Sequence, residues 1–98
     1  MRKDTLYLSL KSKWYNMIES GEKIEEYREI KSFWIRRLCS DEDYKEFKPF
    51  KYVTFSYGYT RRRMTFEITK ISTGRGRVEW GAPIDSDVFI ISLGKRIY

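Results

Sequence analysis

Histidine is absent from this 98-residue chain, and cysteine occurs once, at Cys39. Without an imidazole, the chain has no Ser-His-Asp triad, no Cys-His pair and no histidine-ligated metal site. A single cysteine cannot close an intrachain disulfide or assemble a cysteine-based zinc site. The sequence therefore excludes several enzyme and metal-site classes. One free cysteine is typical of a protein in a reducing compartment, so we expect a cytoplasmic location.

Long apolar runs and low-complexity linkers are also missing. The first apolar stretch is interrupted by Ser9 and Lys11, which makes it too short for a signal-peptide core or a membrane span. We therefore expect a soluble protein with no membrane contact and a single domain over residues 1–98. We expect no bound metal or cofactor, because the loop acids Asp85 and Asp87 are too few to specify a metal site.

Basic charge is abundant and unevenly distributed. The chain holds 20 basic and 14 acidic residues, a net charge of +6, and residues 51–98 contribute +5 of it. Arginine beside exposed aromatic rings is a composition that holds phosphates and stacks bases. A solvated charged surface on a tyrosine-rich protein is the open alternative. The candidates for nucleic-acid contact are Arg61, Arg62, Arg63, Arg75 and Arg77, with Tyr57, Tyr59 and Trp80 close to them in sequence.

The chain opens with a pattern that predicts a strand followed by a helix. Residues 5–10 place a leucine at every second position, which is typical of a strand with one buried face. We expect a helix over about residues 11–20, with Ser12 as its N-cap and Gly21 as its C-terminal cap. Its predicted apolar face consists of Trp14, Met17 and Ile18.

A second strand and a second helix follow. The strand, residues 22–30, places Glu26 and Arg28 between two isoleucines on the face expected to point inward. The helix, residues 32–38, is expected to be capped by Ser32. The candidates for its buried side are Phe33, Trp34, Ile35 and Leu38.

The second half of the chain is rich in strands. Residues 52–57 and 62–71 predict a hairpin, residues 73–87 an irregular connection, and residues 88–93 a strand buried on both faces. Strands that outnumber helices and cluster late do not fit a doubly wound sheet. We expect an α+β fold, a small and mostly antiparallel β-barrel of five or six strands with two short helices. The large aromatic residues expected in its core are Trp14, Trp34, Phe66 and Phe89.

A motif lies between the first helix and the second strand, where residues 21–28 read GEKIEEYR, or G-x-K-x-x-E-x-R. This pattern resembles the signature of the ASCH domain, the activating-signal-cointegrator homology family. The resemblance extends over about residues 6–96 and implies the β-barrel fold named PUA, after pseudouridine synthase and archaeosine transglycosylase. The further similar features are LSLK at residues 8–11, Trp14 and Ile18 ahead of the glycine, YGY at residues 57–59 and the run at residues 90–94.

The motif also has a physical interpretation. Gly21 permits the positive φ with which the chain leaves a helix, and this is expected to put Lys23 at a rim as a mobile ammonium group for an anion. Glu26 and Arg28, about 6 to 7 Å apart on a strand, can bind each other or a ligand. The structural alternative is a half-buried ion pair that ties the barrel together, with Lys23 solvated.

Three functions stay open. The resemblance implies a module that binds RNA or a nucleotide in a cleft lined by Lys23, Glu26 and Arg28. The flanking basic and aromatic residues expected to contact the ligand are Lys11, Tyr57, Tyr59 and Trp80. Some ASCH-like bacterial proteins are amidohydrolases acting on acylated cytidine, and ribonuclease activity has been proposed in the family, which makes Lys23 and Glu26 catalytic candidates. Those amidohydrolases carry a threonine where this motif has Glu26. A protein-interaction domain is the third possibility.

Overall fold

A curled five-stranded sheet with two helices beside it forms the body of the protein. The structure is a computed structural model that describes residues 4–98, so the first three residues of the predicted domain lie outside the described part. The small α+β, barrel-like architecture predicted from the sequence is confirmed. The elements in chain order are β1 (Thr5–Leu10), α1 (Ser12–Glu19), β2 (Glu25–Glu29), α2 (Ser32–Leu38), β3 (Tyr52–Tyr57), β4 (Arg63–Gly74), a 3-10 turn (Val78–Trp80) and β5 (Val88–Arg96).

The sheet has the strand order β1-β3-β4-β5-β2. The β1–β3 pair is parallel, as expected when two helices and a strand separate its members in sequence, and the other three pairs are antiparallel. The mostly antiparallel sheet predicted from the sequence is therefore confirmed. The outer strands of this order are β1 and β2, and the curl of the sheet brings their free edges toward each other.

The core lies inside this curl and follows from the alternation of each strand. On β1 the three leucines point inward, since every second side chain of a strand faces the same side. The expected core positions Phe66 and Phe89 are 8% and 0% exposed. β5 is buried on both faces from Val88 to Ile91, as predicted. The core cluster comprises Leu6, Leu8, Leu10, Tyr15, Ile18, Leu38, Cys39, Val53, Phe55, Met64, Phe66, Phe89 and Ile91.

Both helices begin one residue earlier than the predicted serine caps imply. The carbonyls of Lys11 and Lys31 accept the first helical hydrogen bonds, so these lysines are the N-cap residues and Ser12 and Ser32 are the first helical residues. Neither lysine supplies a side-chain cap. At the end of α1, Gly21 has a φ of +87°, and the predicted C-terminal glycine is confirmed.

The buried faces of the helices differ from the prediction at several positions. In α1 the buried residues are Tyr15 and Ile18, whereas Trp14 is only half-buried. In α2 Leu38 is fully buried, while Phe33 is 52% exposed. A helix of two turns has room for one narrow apolar stripe. In α2 this apolar stripe consists of Leu38 and the two residues that lie three and four positions before it. Phe33 lies outside the stripe.

β2 begins later than predicted. The Lys23 amide donates to the Met17 carbonyl at 3.0 Å, so residues 22–24 continue the turn out of α1 instead of joining the strand. Ile24, predicted to face inward, is 56% exposed for this reason. The same turn carries the Lys23 side chain inward, although the alternation of a strand would place it on the opposite face from Glu26.

Candidate ligand-binding cleft

The free edges of β1 and β2 face each other across a seam, and two arginine side chains bridge from the neighbouring elements to β1. Arg28 of β2 donates from Nη2 to the Ser9 carbonyl at 3.2 Å. Arg37 of α2 donates from Nη2 to the Tyr7 carbonyl at 3.0 Å. A side chain therefore connects the edge of β2 to that of β1 at Arg28, and the Arg37 side chain connects α2 to β1.

The three charged residues of the motif form a chain of ion pairs at the seam. Lys23 Nζ lies 3.1 Å from Glu26 Oε1, and Arg28 Nη2 lies 2.7 Å from Glu26 Oε2. The Glu26 side chain is 7% exposed and that of Arg28 is 20% exposed. The chain contains two cations and one anion, so it keeps one unit of positive charge in a partly desolvated place.

Lys23 is not the mobile rim lysine predicted from the sequence. It is 2% exposed, and its ammonium donates to the Trp80 carbonyl at 2.6 Å as well as pairing with Glu26. The rings of Trp14 and Tyr27 cover it, with the ammonium 5.0 and 4.8 Å from their centroids. Burial lowers the pKa of Lys23 from its ordinary value, and the Glu26 carboxylate opposes this shift.

Arg28 keeps unused hydrogen-bonding capacity. Both of its hydrogen bonds, to Glu26 and to the Ser9 carbonyl, come from Nη2. Its Nε is buried and has no hydrogen-bond partner within residues 4–98. The guanidinium group lies 4.9 Å from the ring centroid of Trp34, which holds it flat against α2. A buried donor without a partner is costly, but Nε is enclosed by the protein, so a ligand in the cleft meets this guanidinium group at its terminal nitrogens.

A cleft of about 470 Å³ opens at the seam. This volume lies within the range of about 300 to 1,000 Å³ that is common for small-molecule sites. Four of the predicted ligand contacts line it, namely Lys11, Glu26, Arg28 and Tyr59. Its other lining residues are Ser9, Leu10, Trp14, Tyr27 and Gly58.

Three predicted ligand contacts do not line this cleft. Lys23 lies behind its wall, as described above. Tyr57 packs edge-to-face on Tyr15, at a centroid distance of 5.2 Å. Trp80 is 8% exposed, and its carbonyl accepts the Lys23 hydrogen bond. Proximity in sequence to basic residues suggested Tyr57 and Trp80, but their side chains are used for packing.

Trp14 and Trp34 were expected in the core; Trp14 instead lines the cleft, and Trp34 packs against the edge of the core. Both are half-buried. The sequence contains a signal for Trp14, since it lies one turn of helix after Lys11 and close to the motif. The contact between Trp34 and Arg28 joins α2 to β2, and no local pattern predicts such a contact.

The five arginines proposed for nucleic-acid contact form two groups. Arg63 begins β4 and Arg75 follows its last residue, Gly74, so the groups lie at opposite ends of a strand of 12 residues. Its path is roughly 35 Å long at the usual rise per residue. The two groups, which are also separate in sequence, therefore lie at two places on the molecule.

Local acids neutralise three of these arginines. Arg62 is 2.7 Å from Glu19 and its guanidinium covers the rings of Tyr15 and Tyr57. The pairs Arg75–Asp87 and Arg77–Glu79 have distances of 3.1 and 3.9 Å. For Arg61 and Arg63, no carboxylate lies within ion-pair distance in the described part of the chain.

Comparisons with family models, with curated proteins and with solved structures give no match to this chain. Within residues 4–98, no helix has the length and apolar character needed to cross a membrane. The same residues contain no group of three or more histidine, cysteine, aspartate or glutamate side chains that could hold a metal ion. The cleft is therefore described by its own geometry alone.

Proposed function

We propose that this chain is an ASCH-type module that binds RNA or a nucleotide in the seam cleft. The observation that carries the proposal is the Arg28 guanidinium on the cleft wall, whose hydrogen bonds to the described part of the protein both come from Nη2. Arginine suits phosphate oxygens and base edges because its planar fork can donate two parallel hydrogen bonds.

The charge and the aromatic residues of the cleft support the same ligand class. Lys11 at the rim and the surplus positive charge of the ion-pair chain favour an anionic group. The fully exposed Tyr59 offers a flat surface at the same cleft, and bases stack on such rings, whereas the Trp14 ring is covered by the ammonium groups of Lys13 and Lys23. A phosphate and a base attached to one sugar combine the two properties that the lining residues recognise.

A binding module is favoured over an enzyme by the position of Lys23. A base or nucleophile must reach the reacting atom, and the Lys23 ammonium is enclosed by Glu26, the Trp80 carbonyl and two aromatic rings. Glu26 lines the cleft, but both of its oxygens are bound to cations. We also propose a cytoplasmic location, which the single free and buried Cys39 favours.

The test compares two arginines that form ion pairs of the same length. Arg28 and Arg62 each lie 2.7 Å from a glutamate, and only Arg28 lines the cleft. We expect Arg28→Lys to weaken binding of a fluorescein-labelled single-stranded RNA about tenfold, because lysine keeps the charge and loses the fork. Arg62→Lys should change the Kd by less than about twofold, since the pair is largely exposed.

Fluorescence anisotropy gives the Kd, and thermal unfolding confirms that both variants are folded. Competition with unlabelled nucleoside monophosphates then shows whether a single nucleotide occupies the cleft. Equal affinities for Arg28→Lys, Arg62→Lys and the unmodified protein would overturn the proposal.

A further inference from the structure

The cleft wall formed by Tyr27 and Arg28 has a second cavity on its other side. This cavity, which we call the Trp34 cavity, has a volume of about 260 Å³. It is lined by Tyr27, Arg28, Glu29, Trp34, Gly81, Pro83 and Val88. Tyr27 and Arg28 therefore line both the seam cleft and the Trp34 cavity, so the two are neighbouring cavities that share part of their walls.

The Trp34 cavity is smaller than the usual small-molecule site of about 300 Å³ or more. It can hold one part of a ligand that is anchored elsewhere, and the seam cleft provides the anchor. Arg28 stands between the two spaces with its guanidinium against the Trp34 ring. A ligand that contacts Arg28 in the cleft can thus extend past it to Trp34.

The lining of the Trp34 cavity indicates the chemistry of that second part. Trp34 and Pro83 supply an aromatic ring and an apolar edge, while most of the exposed lining is polar, which suits a flat and uncharged ring with polar groups at its edge. The Glu29 side chain, 79% exposed, adds a carboxylate that repels phosphate. The cations Lys11 and Arg28 line the cleft, so phosphate belongs there and a base belongs beside Trp34.

We infer that the Trp34 cavity holds the second base of an RNA chain whose preceding nucleotide occupies the seam cleft. This inference rests on the proposed function and narrows its ligand from RNA or a nucleotide to an RNA segment of at least two nucleotides. Trp34 acts as a binding residue that adds affinity for the second base. Arg28 contributes to binding at both positions, because it lines both cavities.

The experiment separates the second base from the second phosphate. The probes are the four nucleoside 5′-monophosphates, the four nucleoside 3′,5′-bisphosphates and the four 5′-phosphorylated homodinucleotides, titrated by calorimetry at fixed salt. A bisphosphate carries the extra phosphate without the extra base. We expect the best dinucleotide to bind about tenfold more tightly than its bisphosphate, because stacking of one base on an aromatic ring contributes an effect of this order.

Three variants assign this gain to a residue. Trp34→Leu should remove the gain and change the affinity for the monophosphate by less than about twofold, and Trp34→Phe, which keeps a flat ring, should restore most of it. Phe33→Leu is the matched control, because Phe33 packs edge-to-face on Trp34 at 4.8 Å and lines neither cavity.

Fluorine NMR gives a second readout that does not depend on any variant's stability. In protein labelled with 5-fluorotryptophan, the dinucleotide should shift the Trp34 signal further than the bisphosphate does. The Trp14 signal should respond to both ligands. Trp80, 8% exposed and lining neither cavity, is the internal reference.

The outcomes distinguish this inference from the proposed function. Equal affinities for dinucleotide and bisphosphate, or an unmoved Trp34 signal, would overturn the second-base position while monophosphate binding still supports the cleft. Equal weakening of monophosphate and dinucleotide by Trp34→Leu would also overturn it, since Trp34 would then act only by positioning Arg28. Failure of every probe to bind would overturn both.

Discussion

The ion pairs of the seam and those of the surface arginines have similar lengths in different surroundings. The Arg28–Glu26 and Arg62–Glu19 pairs both measure 2.7 Å, but their side chains are 20% and 7% exposed in the first pair and 51% and 33% in the second. Removing one partner of a buried pair leaves a desolvated charge, whereas water compensates an exposed one. Ion pairs of equal length therefore contribute unequally to the free energy of unfolding.

The comparison also changes the interpretation of the net charge. Most of the formal excess of +6 belongs to the second half of the chain. Three of the five arginines singled out there have an acid within 4 Å, and at the seam two cations share one carboxylate, which leaves a surplus of one positive charge beside the cleft. Under the proposed function, we expect ligand specificity from a few partly buried charges near the cleft and a weaker, less specific attraction from the surface.

The largest effect is expected from Glu26→Gln. It leaves Lys23 and Arg28 close together without their shared anion, and loss of a buried partner costs about 3 to 5 kcal/mol. Glu19→Gln, the matched change in the exposed pair, should cost less than about 1 kcal/mol. Urea denaturation of both variants gives the two values. Similar small losses would show that the seam is as well hydrated as the surface.

A second test uses the lowered pKa of Lys23. Above the folded pKa the native lysine is neutral while the unfolded lysine remains protonated up to its ordinary pKa of 10.5. The unfolded state then binds more protons, so this group makes the protein more stable as pH rises through that window. The free energy of unfolding of the unmodified protein should therefore rise, relative to that of Lys23→Met, as pH increases toward 10.5. Parallel curves for the two proteins would contradict the buried setting of Lys23.

A third test concerns Tyr27, which lies between the seam cleft and the Trp34 cavity. Burial raises its pKa from 10.0 to about 12. The native phenol stays protonated while the unfolded one ionises, so its contribution to stability is present below pH 10 and is lost as pH rises toward 12. In a pH titration followed by absorbance at the tyrosinate band, the unmodified protein should show one ionisation that Tyr27→Phe lacks. The pH of that ionisation should lie near the top of this range. If the ionisation that Tyr27→Phe lacks lies near pH 10, the Tyr27 ring is open to solvent.

The smallest effect concerns the surface arginines. Arg61→Gln combined with Arg63→Gln should reduce the log–log salt slope of single-stranded RNA binding by roughly 1.4, at about 0.7 for each phosphate contact. Arg62→Gln should reduce it by less, because Arg62 is already paired with Glu19. Anisotropy titrations over a series of salt concentrations give the slopes. Equal reductions per arginine would mean that RNA displaces the Glu19 pair.

Local patterns predicted most of the fold. The leucine alternation of β1, the hairpin of β3 and β4, the glycine end of α1 and the buried run of β5 are each readable within about ten residues. The predicted serine N-caps and the predicted start of β2 were wrong. Hydrogen bonds to the carbonyls of Lys11 and Lys31 determine where the helices begin, and a hydrogen bond to the Met17 carbonyl delays the start of β2. The hydrophobic pattern of the sequence does not predict such hydrogen bonds.

The site was predicted in part. The motif identified Glu26 and Arg28, which line the cleft, and also Lys23, whose inward position results from the turn before β2. What could not be predicted are contacts between residues far apart in sequence. Glu19 and Arg62 are 43 residues apart, and 57 residues separate Lys23 from the Trp80 carbonyl. Only the folded structure shows which charged side chains already form ion pairs or hydrogen bonds.

The two arginine bridges to β1 also bear on how the protein avoids self-association. A free strand edge offers unpaired backbone groups to any other extended chain, and such edges promote aggregation. In β1 the carbonyls of Tyr7 and Ser9 face away from β3 and are occupied by the guanidinium groups of Arg37 and Arg28. Both guanidinium groups therefore occupy carbonyl oxygens that a foreign strand would otherwise bind. For Arg28, this contact is separate from its proposed role in ligand binding.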